Sequence, residues 1–431
     1  MTRTAARTAP SDFSSSPTAG RGGTGRTVVT GLGIIAPNGL GAQEYWDAVL
    51  EGRGGIGPLR RFAGDGSLGR LAGEVTGFVP DAHLPKRLLA QTDRMTQYAL
   101  AAADWALREA RYSPSSPLDA GVITASASGG FDFGQRELQH LWSEGPAHVS
   151  AYMSFAWFYA VNTGQIAIRH DLRGPVGVVV TEQAGGLDAL AHARRKIRGG
   201  SELIVTGAVD SSLCPYGMAA QVKSGRLSAS DDPTAAYLPF DRRAAGHVPG
   251  EGGAILTVED GERAAARGAT VYGEIAGYGA SFDPPPDSGR PSSLVRAVEG
   301  ALADAGLDAA DVAVVFADGA AVPELDAAEA ETLAAVFGPR GVPVTVPKTL
   351  TGRLYSGAGP LDVATALLAL RDGVVPVTAH VDPDPELPLD LVTERPRPLA
   401  GRAARAAGPA ALVVARGYGG FNSALVVREA A

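Results

Sequence analysis

Cysteine is almost missing from this chain. The one thiol in 431 residues, Cys214, excludes an internal disulfide framework and any cysteine-clustered metal site. Excess positive charge is missing too: 38 Lys and Arg stand against 46 Asp and Glu, a formal net charge of -8. Nucleic acids and anionic membranes both attract basic surfaces, so neither is expected as a partner. No apolar run approaches the ~18 residues of a membrane-spanning helix. The amino-terminal segment has no apolar stretch of the secretory kind, which leads us to expect a cytoplasmic protein.

What is present is a globular composition, 45% apolar and 19% charged. The length fits two or three domains, or one large α/β domain, with ample material for a core. Glycine occurs 56 times, well above the usual level of roughly 7%, which suits tight turns and close backbone approaches. Residues 1–26, rich in Ser, Thr, Gly, Arg and Pro, read as a disordered tail; their Arg- and Ser-rich makeup is also that of a transit peptide.

Order is expected from Thr27 to Thr30, a β-branched strand ending in a turn at Gly31-Leu32-Gly33. Helices are predicted over 41–51 and 94–110, the second with Met95, Tyr98, Ala99, Ala102 and Leu107 along one stripe. Strands are predicted at 121–124, 178–181 and 203–209, with a helix at 184–198 between the last two. Strands alternating with helices imply βαβ units and a largely parallel, buried sheet, hence an α/β fold. One internal echo stands out. Gly185-Gly186-Leu187-Asp188 and Gly359-Pro360-Leu361-Asp362 each open a helix after a valine-rich segment, and Gly199 and Gly373 close them at equal spacing. The second valine segment, 342–346, is the weaker strand because Pro343 and Pro347 interrupt it. A single long-period echo predicts two similar halves, 27–265 and 266–431, joined through 259–270.

Two motifs bear on chemistry. Gly31-Leu32-Gly33-Ile34-Ile35-Ala36 formally matches a dinucleotide fingerprint. A working fingerprint opens a helix onto the pyrophosphate, whereas Pro37 and Asn38-Gly39 impose a turn here. A dinucleotide-dependent oxidoreductase is therefore disfavoured. The second motif is Val178-Val179-Val180-Thr181-Glu182-Gln183-Ala184-Gly185-Gly186, a strand, a sharp turn and a helix start. This is the geometry of a nucleophile elbow, with unpaired N–H groups and a helix dipole at its tip. The tip residue is Gln183, whose amide is no covalent nucleophile. On its own it reads as an amide pairing nearby backbone groups.

From about residue 27 to 428 the chain resembles the β-ketoacyl synthases of the thiolase fold. The resemblance rests on Val28-Val29-Thr30-Gly31-Leu32-Gly33, Gly174-Pro175, Gln183 to Ala189, Pro239-Phe240-Asp241, Pro249-Gly250-Glu251-Gly252 and Gly417-Tyr418-Gly419-Gly420-Phe421-Asn422. It implies a five-layered αβαβα architecture of two similar halves. Active members use one cysteine and two histidines, and all three matching positions depart here: Gln183 for the cysteine, Asp318 and Arg353 for the histidines. The motif lysine is kept as Lys348. None of the seven histidines, His170, His192 and His247 included, falls in either motif.

This pattern is similar to the chain length factor, or ketosynthase β subunit, of bacterial type II aromatic polyketide synthases. So are the runs Ser154 to Asn162 and Thr351 to Tyr355. The resemblance implies a partner, a catalytic ketosynthase α subunit forming a heterodimer, and an acyl carrier protein that delivers malonyl units and the growing chain. No cofactor or metal is implied. The family's tunnel gate maps onto Phe131, Gly134 and Leu138, which share one helical face, with Tyr216 as a further lining residue. By the resemblance, the absence of a side chain at Gly134 implies a long product, a decaketide or longer. The aromatic run Phe155, Trp157, Phe158 and Tyr159, expected in a helix, would lie near the dimer contact. An alternative implied by the family is a malonyl-carrier decarboxylase in which Gln183 donates to the thioester.

Overall fold

A computed structural model describes residues 25–62, 68–285, 288–399 and 408–430. The tail expected at 1–26 lies outside these residues up to position 24. The two halves are built to one plan. The first contributes β1 (Thr27–Ala36), β2 (Ala120–Ala125), β3 (Val176–Val179), β4 (Leu203–Asp210) and β5 (Gly252–Asp260). The second contributes β6 (Gly273–Phe282), β7 (Val312–Phe316), β8 (Pro343–Thr345), β9 (Ala410–Arg416) and β10 (Phe421–Arg428). Strand order is β3-β2-β4-β5-β1 in one sheet and β8-β7-β9-β10-β6 in the other. In each, the first three are parallel and the last two antiparallel. Among the described residues the two sheets join edge to edge where Val28 and Val29 of β1 pair with Glu274 and Gly273 of β6, which makes one continuous path of strands.

Among the helices are α1 (Arg94–Ala110), α2 (Phe131–Ser143), α3 (Gly185–Arg198), α4 (Pro215–Lys223), α5 (Leu294–Ala305) and α6 (Ala358–Asp372). Helices α3 and α6, the two members of the sequence echo, contact strands of both sheets and each other, and so form the middle layer. Their glycines are the contact point. A Cβ on Gly186 would sit 2.2 Å from Pro360 Cδ, and one on Gly359 would sit 3.1 Å from Leu187. Helix α1 covers the outside of the first sheet and α5 that of the second, which completes five layers.

The Gly31-Leu32-Gly33 segment is not the turn the sequence suggests. Strand β1 runs straight through it to Ala36, and the turn falls at Pro37-Asn38, where Ala36 pairs with Gly39. The glycines let α1 lie almost on the strand: added Cβ atoms would be 2.1 Å from Ala106 O and 1.8 Å from Ala102 O. No helix starts there, so the dinucleotide reading lacks its anion site. The second half repeats the device, with Gly277 and Gly279 of β6 against Ala301 and Ala297 of α5 at 2.1 Å each.

Two further expectations shift. The strand predicted at 178–181 is Val176–Val179, because Val180 and Thr181 already enter the elbow. The aromatic run is not one helix. Met153–Ala156 is a single turn, Trp157 to Tyr159 bridge it to the helix Val161–His170, and Trp157 and Phe158 are exposed. The segment joining the halves is ordered, with the end of β5 running into a short helix, Gly261–Ala266, capped by Asp260. Among the described residues no helix is long and apolar enough to cross a membrane.

Candidate functional site

The elbow forms where β3 ends. Glu182 takes the left-handed conformation, φ 51°, and Gln183 follows in a short 3-10 turn that leads into α3. A left-handed non-glycine residue costs roughly 1–2 kcal/mol. One compensating contact is visible: the Glu182 carboxylate accepts the Tyr418 N–H at 2.7 Å, tying the elbow to the glycine loop 417–420. Gln183 is buried.

Asp318 follows β7, and Arg353 precedes α6, so the topology draws both to the elbow at the inner ends of the strands. Gln183 Nε2 donates to Asp318 Oδ1 at 2.8 Å. Arg353 Nη2 donates to Asp318 Oδ2 at 2.9 Å and to the Arg416 carbonyl at 2.8 Å. The Arg416 N–H adds a bond to Asp318 Oδ1 at 3.0 Å. All three residues expected at the cysteine and histidine positions are thus brought together, and they are bonded to one another. The amide of Gln183 pairs with a carboxylate side chain, not with the backbone as its sequence context suggests.

Charge stabilises this arrangement. Burial pushes the Asp318 carboxyl up, but the cations Arg353 and Lys348 and the Arg416 N–H outweigh it and hold the group below the usual carboxylate range. Burial pulls the Arg353 guanidinium down, and Asp318 more than reverses this. Lys348 supports the site from behind: its Nζ donates to the Ala317 carbonyl at 2.6 Å and pairs with Asp362 at 2.7 Å. Glu329 accepts the Asp318 and Gly319 N–H groups at 2.7 and 3.0 Å.

A cavity of about 570 Å³ opens beside this cluster, lined by Asp318, Arg353, Arg416, His247, Arg226 and Tyr418 among others. A smaller one, about 310 Å³, holds Glu182 and Tyr355 on the far side of Arg226 and Tyr418, whose guanidinium and ring stack at 4.8 Å. His247 therefore reaches the site although it belongs to no motif. Burial, then the charge on Arg353, pushes its imidazole down to about 3, so it is neutral. Cys214 caps α4, is buried, and burial raises its thiol to about 11, so it supplies no nucleophile.

The family models matching this sequence are the β-ketoacyl synthase N-terminal domain over residues 25–264 and the C-terminal domain over 272–382. The chain belongs to the β-ketoacyl synthase family. It is 58% identical over 407 residues to the tetracenomycin polyketide synthase ketoacyl synthase beta subunit of Streptomyces glaucescens, covering 93% of this chain and 98% of that one. Its fold matches the ishigamide ketosynthase/chain length factor with a TM-score of 0.82 at 26% identity, covering 94% and 99% of the two chains. It also matches a type II polyketide synthase acyl-carrier protein in complex with its hexaketide-bound ketosynthase, with a TM-score of 0.81 at 26% identity over 94% and 99%. Within the family this chain is of the β-subunit, or chain-length-factor, type. It has the ketosynthase scaffold, with Gln183, Asp318 and Arg353 at the positions of the Cys-His-His centre.

The residues expected to form a gate lie elsewhere: Phe131, Gly134 and Leu138 on α2, which packs against Met153–Ala156 and α4, and Tyr216 on α4. Phe131 and Tyr216 meet with ring centroids 5.0 Å apart. Gly134 is buried, and a Cβ there would meet Trp157 Cβ at 3.4 Å and Met153 Cε at 4.0 Å, which is ordinary contact. Leu138 is half-buried one turn further on. Large apolar side chains are exposed on this helix and on the segments that follow it: Trp142 is 78% exposed, and Trp157, Phe158, Ile168, Val176 and Val180 are also exposed. Val176 opens β3, an edge strand, and Val180 follows it.

Proposed function

We propose that this chain forms a heterodimer with a cysteine-bearing ketosynthase α subunit in the cytoplasm. In that complex it closes a polyketide tunnel and sets how many malonyl units an acyl carrier protein delivers. The observation that carries the reading is the Gln183–Asp318–Arg353 cluster, in which an amide, a carboxylate and a guanidinium stand at the cysteine and histidine positions and the carboxylate is held by the other two. The chain then needs a partner for chemistry, and the exposed aromatic residues Trp142, Trp157 and Phe158 and the edge strand β3 offer it surfaces. Aromatic-rich patches are typical of interface cores, and a patch this apolar is costly to leave in water. The two halves, 27–265 and 266–431, would act as one scaffold. Expressed alone, the chain is expected to self-associate or aggregate. Sedimentation should show a defined heterodimer once the α subunit is co-expressed, and a stable monomer active by itself would overturn the reading.

Phe131, Gly134, Leu138 and Tyr216 would form the gate that ends the tunnel, with Gly134 leaving room for a decaketide or longer product. Extra carbons need vacant volume in a close-packed interior. A Gly134→Thr, Leu138→Phe double variant is expected to shorten the product by at least one malonyl unit while condensation persists. Product mass from the reconstituted heterodimer measures this, and unchanged length in a folded variant would make the stripe ordinary core. The alternative, malonyl-carrier decarboxylation by Gln183, is weakened by the commitment of its Nε2 to Asp318.

A further inference from the structure

Helix α2 has no side-chain cap of its own: Gly130 stands at its N-cap with no capping hydrogen bond. The first N–H groups of any helix need outside partners. Here one of them comes from a different element. Phe133 N–H donates to Asp93 Oδ2 at 2.8 Å, while Asp93 Oδ1 accepts Met95 N–H, in the first turn of α1, also at 2.8 Å. A single carboxylate, wholly buried, therefore caps two helices. Gly130 lets the start of α2 press onto it, since a Cβ there would lie 2.9 Å from Asp93 Cβ and 2.2 Å from Ala156 O. A second tether runs from α2 to α4. Tyr216 N–H donates to Gln135 Oε1 at 2.6 Å, in the same stretch that brings Tyr216 against Phe131.

We infer that Asp93 and Gln135 are positioning residues for chain length: from behind the gate, they fix where α2 and its Phe131, Gly134 and Leu138 side chains stand. The inference rests on the reading of α2 as the gate. Steric selection between two lengths differing by two carbons requires the wall to hold its place. A wall on a helix whose first turn is loosely held discriminates poorly, whatever side chains it carries. Asp93 also makes the tether sensitive to acid. Burial raises its carboxyl to about 6 against the pull of the Phe133 and Met95 N–H groups. The titratable groups facing it are Asp132 and Arg136 on α2 and Cys214 at the start of α4. Above that pH both oxygens accept as a carboxylate; below it one carries a proton and holds its N–H more weakly.

The test uses the reconstituted heterodimer with its acyl carrier protein and reads the ratio of product lengths by mass spectrometry. Asp93→Asn keeps the shape of the side chain but turns an N–H toward one of the two donors. Gln135→Ala removes an acceptor at a half-buried position, and Gln135→Glu restores one. Asp93→Asn and Gln135→Ala are each expected to raise off-length product about threefold to tenfold, the scale of one lost hydrogen bond. Total condensation and the thermal midpoint should stay close to the parent's. Gln135→Glu should return the parental ratio, and the parent itself should drift toward the Asp93→Asn ratio as the pH falls through about 6. If Asp93→Asn fails to fold, Gln135→Ala decides. A parental ratio in the folded variants, alongside a shortened product from Gly134→Thr, would overturn the inference and leave the gate standing. A parental ratio from Gly134→Thr as well would remove the gate, and this inference with it.

Discussion

Arg353→Ala is expected to destabilise the assembled protein by about 3–5 kcal/mol, the cost of leaving one member of a buried ion pair without its partner. Asp318 would keep Gln183 and the Arg416 N–H but lose its neighbouring cation while remaining buried. Denaturant unfolding of the heterodimer measures the change. Replacing both members, Asp318→Asn with Arg353→Met, should recover most of the loss, because no uncompensated charge then remains. The pH dependence has a definite sign. The folded Asp318 carboxyl sits below its usual range, so its contribution is complete above that range and is lost only as the pH falls through the depressed value. Near neutrality the pair should therefore be indifferent to pH. An Arg353→Ala variant as stable as the parent would mean that the pair does not hold the site.

Restoring the missing thiol should not restore catalysis. Gln183→Cys places sulfur at a helix start, where a thiolate is favoured, but the carboxylate that now bonds Gln183 stands beside it. Asp318 is negative and acceptor-only, Arg353 is donor-only, and neither can do what an imidazole does. Loss of an acid–base partner typically costs roughly 10²–10⁴-fold, and two are missing. Condensation by this variant, paired with an α subunit whose cysteine is replaced by alanine, is expected to fall short of an intact ketosynthase by at least that factor. Elongation at a rate near the intact enzyme's would refute the argument.

The two-half plan is legible because the α3 and α6 helix starts repeat as Gly-Gly-Leu-Asp and Gly-Pro-Leu-Asp, and in the middle layer Gly186 lies against Pro360 and Gly359 against Leu187. The three altered active-site positions are legible because residue identity alone excludes the chemistry. Gly31 and Gly33 mislead. A glycine pair after a short β-branched run looks like a turn, and only the row Ala102 and Ala106 on α1 reveals that the missing Cβ atoms make room for a helix. The same row exists as Ala297 and Ala301, so the repeat of Gly-x-Gly at 277–279 is a detectable signal. Other features leave no trace in the chain. The Arg416 N–H on Asp318 and the double cap by Asp93 depend on backbone groups brought together by the fold, and a backbone N–H has no sequence signature. His247 reaches the cavity by the same route.

The bonded cluster at the elbow also constrains where this sequence can go by single substitutions. Changing Asp318 to histidine leaves the Arg353 guanidinium buried beside a neutral ring; changing Arg353 to histidine strands the Asp318 carboxylate. Either step passes through a folded state with an unmatched interior charge, and introducing the cysteine first gains nothing while both remain. The route by single steps to a working condensing enzyme is therefore a valley, and crossing it needs both positions to change together.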